Sequence, residues 1–210
     1  MSNYSLLHLN RAEYVKSIQA MGEDKALSFA NMSLKWWDKQ FGWYVKGCVV
    51  LVDKNTMHLS YIFYKIDKYN NYITIHNIFT PNAKRRLGYA YALLELIFTF
   101  AITQKVKRFR FSSTSKSLDF YLTFGIVYWG VNSIGDFYCD LPMPHNGLQG
   151  IKEMTSNTPV HILLGRSFKI ILAKVEDNNH NLNNFKTLSY NSDVVKLKNS
   201  YLLSSLLESK

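Results

Sequence analysis

The residues of this chain best placed to do chemistry fall in one run, Arg85-Arg86-Leu87-Gly88-Tyr89-Ala90. The run follows an apolar, strand-like stretch ending Ile78-Phe79-Thr80-Pro81 and opens a periodic helical one. The first turn of a helix leaves about four backbone N–H groups without intrahelical partners, and the helix dipole makes that end positive. A glycine there lets an anion approach the backbone, and two arginines add charge. That is the chemistry of a phosphate cradle. The spacing is neither GxxxxGK(S/T) nor GxGxxG. Nor does the chain carry GxSxG, HExxH or a paired-cysteine metal pattern, so no metal site is expected.

The elements that must position this run can be read from periodicity and turn chemistry. The first forty residues read as helical: Asn10 caps Arg11 to Met21, Gly22 ends it, and a second helix spans about Asp24 to Lys39. A three-strand meander follows: Tyr44 to Val52, His58 to Lys65 and Tyr72 to Thr80, joined at Asp53-Lys54-Asn55-Thr56 and at 67–71. A helix from Gly88 to about Gln104 carries the apolar stripe Ala90, Leu93, Leu94, Ile97, Ala101. Arg108 to Ser113 is a strand and Ser117 to Phe124 a short helix stopped by Gly125. Ile126 to Val131 and Phe137 to Leu141 are strands that could pair as a hairpin. The expected fold is therefore α/β of the α+β kind: a mixed, mostly antiparallel sheet flanked by helices, in the order ααβββαβαββ, with a C-terminal extension. The expected division is a domain over 1–145, an additional β segment over 146–175 (His161 to Leu164 and Phe168 to Val175), and an Asn-rich linker with a terminal helix over 176–210. That last helix, Asp193 to Leu207, would pack on its own domain or make a homodimer contact.

These motifs resemble the GNAT superfamily of N-acetyltransferases. The run 85–90 matches its pyrophosphate signature, (Q/R)-x-x-G-x-(G/A). Ile78-Phe79-Thr80-Pro81 is similar to its V-x-P, one residue farther from the arginine than usual. Phe120-Tyr121-Leu122-Thr123-Phe124-Gly125-Ile126 matches F-Y-x-x-x-G-(F/I). The resemblance implies acetyl-coenzyme A, or another acyl-coenzyme A, as cofactor. The backbone at Ile78, Phe79 and Thr80 would face the pantetheine arm and acyl carbonyl. The N–H groups of Arg86, Leu87, Gly88, Tyr89 and Ala90, with the Arg85 side chain, would hold the pyrophosphate. Tyr121 would be the general acid, against the plainer reading of an aromatic that packs its helix. His76 is the candidate base; alternation puts it on a face with Thr74 and Ile78, and simple hydrogen bonding is the alternative. His58, Asp119 and Asp136 are further options for a base. Ser113, within Ser112 to Ser115, would reach the cofactor arm or cap the helix at Ser117. Trp36, Trp37 and Tyr44 would be core and rim, or line the acceptor pocket.

Composition bounds the rest. The 210 residues carry a net charge of +10 with only 19% charged and 47% hydrophobic side chains, enough for a core and suited to a polyanionic partner. Residues 77–116 hold eight basic side chains against Glu95, whereas 117–150 hold three aspartates and no Lys or Arg. Most of the surplus thus surrounds the cradle. The expected partner is an amine-bearing acceptor, small molecule or protein. An RNA or aminoacyl-tRNA acceptor and a catalytically silent binding module are the alternatives. The start has no signal-peptide pattern, and the oily stretch 90–102 carries Glu95 and is too short to span a bilayer. Cys48 and Cys139 form no disulfide framework. A cytoplasmic location follows as the expectation.

Overall fold

A computed structural model describes residues 4–22, 28–29, 31, 34, 45–67, 69–113, 117–126, 129–131, 137–158 and 160–163. The chain divides into two units, Met1–Lys107 and Arg108–Lys210.

In the first unit, Asn10 caps α1 (Arg11–Gln19). Its side chain accepts from the Glu13 N–H at 2.9 Å, and the Glu13 carboxylate accepts from the Asn10 N–H at 2.8 Å, satisfying two end donors reciprocally. The residues before it correct the all-helical expectation. Tyr4–Leu9 is a strand, β1, paired antiparallel with β2 (Val45–Asp53). Six residues are too few to hold a helix in water, whereas the edge of β2 offers a full ladder of partners. The predicted helix over 24–39 lies largely outside the described residues, although Ser28, Phe29, Asn31 and Leu34 are helical.

The predicted meander is present. β2, β3 (His58–Asp67) and β4 (Tyr72–Phe79) pair antiparallel in sequence order. Asp53 turns the first corner by accepting from the N–H groups of Asn55 and Met57, both at 2.9 Å. Two bulges interrupt the ladders. Leu51 pairs with Ser60 and Val52 with His58, so Leu59 is an extra residue in β3. Phe63 pairs with Asn77 and Tyr64 with Ile75, so His76 is an extra residue in β4. Such insertions bend a strand and re-aim its side chains. One core gathers Cys48, Val50, Tyr61, Phe63 and Phe79 of the sheet with Tyr14 and Ile18 of α1 and with Phe29. The helix α2 (Tyr89–Thr103) buries Leu93, Leu94, Ile97, Phe98 and Ala101. That is the predicted stripe, with Phe98 added and Ala90 only half-buried. Each such large apolar side chain contributes about 1.5–3 kcal/mol.

In the second unit, β5 (Arg108–Ser113) pairs antiparallel with β7 (Phe137–Pro142), and β6 (Gly130–Val131) pairs with β7's other edge as the predicted hairpin. Of the strand predicted over 126–131, only Gly130 and Val131 are strand; Ile126 and Trp129 are outside it, and 127–128 lie outside the described residues. The helix α3 (Leu118–Leu122) and its turn end at Gly125, φ +83. The segment beyond Pro142 corrects a second expectation. Where a strand at His161 to Leu164 was predicted, the chain forms a 3-10 turn (Gly147–Gln149), α4 (Gly150–Asn157) and α5 (Val160–Leu163); the other predicted strand, Phe168 to Val175, lies outside the described residues. Ile151 and Thr155, four apart, bury one face of α4, which is helical and not strand spacing. Arg108 Nη2 donates to the Leu163 carbonyl at 2.7 Å, occupying an acceptor that a helix end leaves open. Residues 164–210, with the predicted linker and terminal helix, lie outside the described residues. The class is α+β, with antiparallel strand pairings in each unit and helices beside them.

Candidate functional site

Between β4 and α2 the backbone is shaped by three residues. Pro81 ends the ladder because it has no N–H to give. A 3-10 turn, Asn82–Lys84, follows, closed by the Lys84 N–H on the Pro81 carbonyl at 2.9 Å. Arg86 then adopts φ +62 and Gly88 φ +80. A left-handed arginine costs about 1–2 kcal/mol, and such outliers persist where surrounding structure holds them, often at binding sites. Alternating hand across Arg86, Leu87 and Gly88 turns successive N–H groups into a concavity of the kind that takes anions. Gly88 is the N-cap of α2, offers no capping side chain, and a Cβ built on it would meet nothing within 4 Å. Its carbonyl takes the first helical bond, from the Ala92 N–H at 3.0 Å. The N–H groups of Tyr89 and Ala90 precede that bond and remain for a ligand.

The loop is tied down from beneath. Arg85 Nε donates to the Thr80 carbonyl at 2.9 Å, and its guanidinium lies 5.9 Å from the centre of the Phe79 ring. Lys84 Nζ donates to the His58 carbonyl. Ser60, fully buried, donates to the Phe79 carbonyl at 3.1 Å and shares a hydrogen bond with the Thr80 hydroxyl at 2.8 Å. Above, Arg85, Arg86, Leu87 and Gly88 are exposed. Because Arg85 uses Nε for the loop, its outer nitrogens can face an anion. A pyrophosphate group fits this set: open space at Gly88, helix-end N–H groups that precede the first helical bond, and two exposed cations.

The other predicted residues fall as follows. Ile78 and Phe79 close β4, opposite Ile62 and Tyr61, with Thr80 just beyond. His76 sits in the β4 bulge, half-buried, its ring 6.0 Å from that of Phe63. Burial, then Lys65, push its pKa down to about 3, so it is neutral across the physiological range. These residues share the first unit with the loop. Tyr121 and Ser113 belong to the second. Tyr121 is buried among Phe111, Phe120 and Trp129, with ring centres 5.0, 5.2 and 5.5 Å away, and burial pushes its pKa well up. Ser113 is buried at the end of β5, opposite Phe137. Trp36, Trp37, Tyr44, Thr114, Ser115 and Asp136 lie outside the described residues. Among the described residues no cluster of metal-ligating side chains exists and no helix is long and apolar enough to cross a membrane.

Two arrangements were invisible in the spacing. Asp140, fully buried, receives Arg108 Nε at 2.8 Å and lies 3.5 Å from Arg110 Nε. Two of the eight basic residues read as surrounding the cradle are therefore paired elsewhere, and one of the three aspartates of 117–150 is neutralised. Opposite strands hide such pairs from a linear charge tally. Ser17, His58 and Tyr61 also converge: Ser17 Oγ lies 2.8 Å from His58 Nδ1 and 2.7 Å from the Tyr61 hydroxyl, and Nδ1 lies 3.1 Å from that hydroxyl. Residues 41 and 44 positions apart announce no such contact. Only the histidine could have been singled out.

No family model matches the chain, and no curated protein sequence matches it. Solved structures do. A mutant of the spermidine N-acetyltransferase from Vibrio cholerae is similar at a TM-score of 0.51 and 8% identity, over 68% of this chain and 95% of that one. An acetyltransferase of the GNAT family from Staphylococcus aureus gives 0.47 and 10%, over 65% and 98%. Nourseothricin acetyltransferase gives 0.41 and 14%, over 47% of this chain, which spans 66% of that protein's length. The chain has the fold of the GNAT superfamily of N-acetyltransferases.

Proposed function

We propose that this protein is an acyl-coenzyme A-dependent N-acyltransferase, most simply an N-acetyltransferase, which passes the acyl group to an amine within a ternary complex in the cytoplasm. The observation that carries the reading is the loop Arg85 to Ala90, where two left-handed residues and an open helix N-terminus present N–H groups beneath two exposed arginines. Coenzyme A supplies the activated acyl group as a thioester. Arg85 and the N–H groups of Arg86 to Ala90 hold its pyrophosphate, and Ser113 reaches the arm. The backbone beyond the bulge, at Ile78, Phe79 and Thr80, faces the acyl carbonyl, where an N–H stabilises the oxygen as it gains charge.

Tyr121 gives its proton to the departing thiolate. Burial keeps the phenol protonated until then, and a thiolate released into equally dry surroundings is a stronger base than in water, which offsets the phenol's reluctance. His76, neutral at physiological pH, passes a proton onward without retaining it.

Calorimetry with acetyl-coenzyme A, together with thiol release across a panel of primary amines, tests the reading. Binding with amine-dependent release is the expected result. Binding without release for any amine would favour a silent binding module. Failure of both acetyl- and longer acyl-coenzyme A to bind would overturn the proposal.

A further inference from the structure

The group formed by Ser17, His58 and Tyr61 lies outside every motif of the acyltransferase reading, yet it adjoins the end of β4. Tyr61 is the register partner of Phe79, and their ring centres are 6.5 Å apart. The His58 ring is 5.8 Å from that of Tyr61. The His58 carbonyl receives Lys84 of the loop, and Ser60 holds Phe79 and Thr80. Strict alternation would send the side chains of residues 58 and 61 to opposite faces of β3. The extra residue at Leu59 lets them meet.

We propose that His58 is the proton acceptor for the attacking amine, with Ser17 and Tyr61 as positioning residues that fix its tautomer. The proposal rests on the acyltransferase reading. Two hydroxyl oxygens converge on one ring nitrogen, Nδ1, at 2.8 and 3.1 Å. A hydroxyl can give or take a proton, so these distances suit either tautomer; in the proposed arrangement the proton sits on Nδ1, donated to Ser17 Oγ, which leaves the lone pair on Nε2. Ser17 passes the orientation on: accepting from Nδ1, it donates to the Tyr61 oxygen at 2.7 Å. Among the described residues nothing is bonded to Nε2. A protonated amine gives one proton to Nε2 and becomes the nucleophile. The new C–N bond forms as the C–S bond breaks; Tyr121 protonates the departing thiolate and its phenolate takes the second proton that the nitrogen sheds on becoming an amide, while the imidazolium returns the first proton to water.

The charged and titratable groups facing this site are Tyr61 from β3, with Cys48 behind it, and Lys84 from the loop. Burial and Lys84 lower the His58 pKa, so the ring is unprotonated and ready at neutral pH. Tyr61, pushed up to about 12, stays a phenol.

The test has one arm that needs no acceptor. In NMR titrations of the full chain, with His58→Gln providing the assignment, the His58 ring should titrate below an ordinary histidine. Ser17→Ala should change that titration, and acetyl-coenzyme A should shift the resonance. A His58 signal indifferent to saturating acetyl-coenzyme A would overturn the proposal while leaving the acyltransferase reading intact. The second arm compares two nucleophiles among the amines that wild type accepts: an alkylamine, protonated at neutral pH, and methoxyamine, which is not. His58→Gln should lose about 10²-fold in turnover with the alkylamine and keep its methoxyamine turnover and acetyl-coenzyme A affinity. Equal losses with both, or none with either, would overturn the assignment. If wild type binds no acyl-coenzyme A, the acyltransferase reading itself fails and takes this inference with it.

Discussion

Gly88 and Gly125 come from the two motifs and share a left-handed backbone, φ +80 and +83, but their surroundings differ. A Cβ at Gly88 would meet nothing within 4 Å; at Gly125 it would lie 2.5 Å from Lys152 Cγ, 2.8 Å from its Cα and 3.1 Å from its backbone nitrogen. The flexible side chain can swing aside, but the α4 backbone cannot without moving the helix. Thr155 Oγ1, which donates to the Gly125 carbonyl at 3.1 Å, fixes the same contact. Gly88→Ala should therefore cost only the left-handed penalty, about 1–2 kcal/mol. Gly125→Ala should add an overpacking cost of about 1–3 kcal/mol, for a total of roughly 2–5 kcal/mol. Urea unfolding followed by far-UV circular dichroism measures both, read at unchanged slope. Equal losses would mean that the close approach of α4 contributes nothing. A neutral Gly125→Ala would refute the geometry.

Arg85→Ala combined with Gly88→Asp removes a cation and puts a carboxylate where a phosphate would sit; calorimetry should show acetyl-coenzyme A binding abolished, and unchanged affinity would refute the cradle. Tyr121→Phe should lower turnover far more than cofactor affinity, and an unaltered rate would remove the phenol from the chemistry. Because the folded His76 releases its proton near pH 3 while an unfolded histidine does so near 6.5, the unfolded chain binds more protons between these values. Stability should then be full above pH 6.5 and fall as pH drops toward 3; a His76→Asn variant should show a shallower fall in urea midpoints, and an identical slope would refute the burial of that ring.

Periodicity and turn chemistry were enough for the Asn10 cap, the meander and its aspartate turns, the stripe of α2 and the helix opening at Gly88. These are local: each is decided by residues within a few positions of one another. What failed was decided elsewhere. Tyr4–Leu9 is a strand because β2 lends it an edge, and 150–157 is a helix packed on a glycine some thirty residues upstream. The site divides the same way. Arg85, Arg86 and Gly88 are legible as a run, whereas Ser17 and Tyr61 become neighbours of His58 only once α1 lies on the sheet and Leu59 is squeezed out of register. The charge surplus misled in part because a linear tally cannot see Asp140, opposite Arg110 in the register, also paired with Arg108 of the same neighbouring strand.

Arg108 has a consequence for the order in which the protein is made. It opens the second unit and holds both Asp140, 32 residues later, and the carbonyl of Leu163, 55 residues later. At a synthesis rate of about 5–20 residues per second, roughly 3–11 s pass between the appearance of that arginine and of its last described partner. The cradle waits for nothing of the kind. Its loop and helix are encoded before residue 108, and the side-chain bonds that tie the loop down, from Arg85, Lys84 and Ser60, close on residues encoded there too. The part that would hold the cofactor can therefore take shape on the ribosome while the part carrying Tyr121 is still being written.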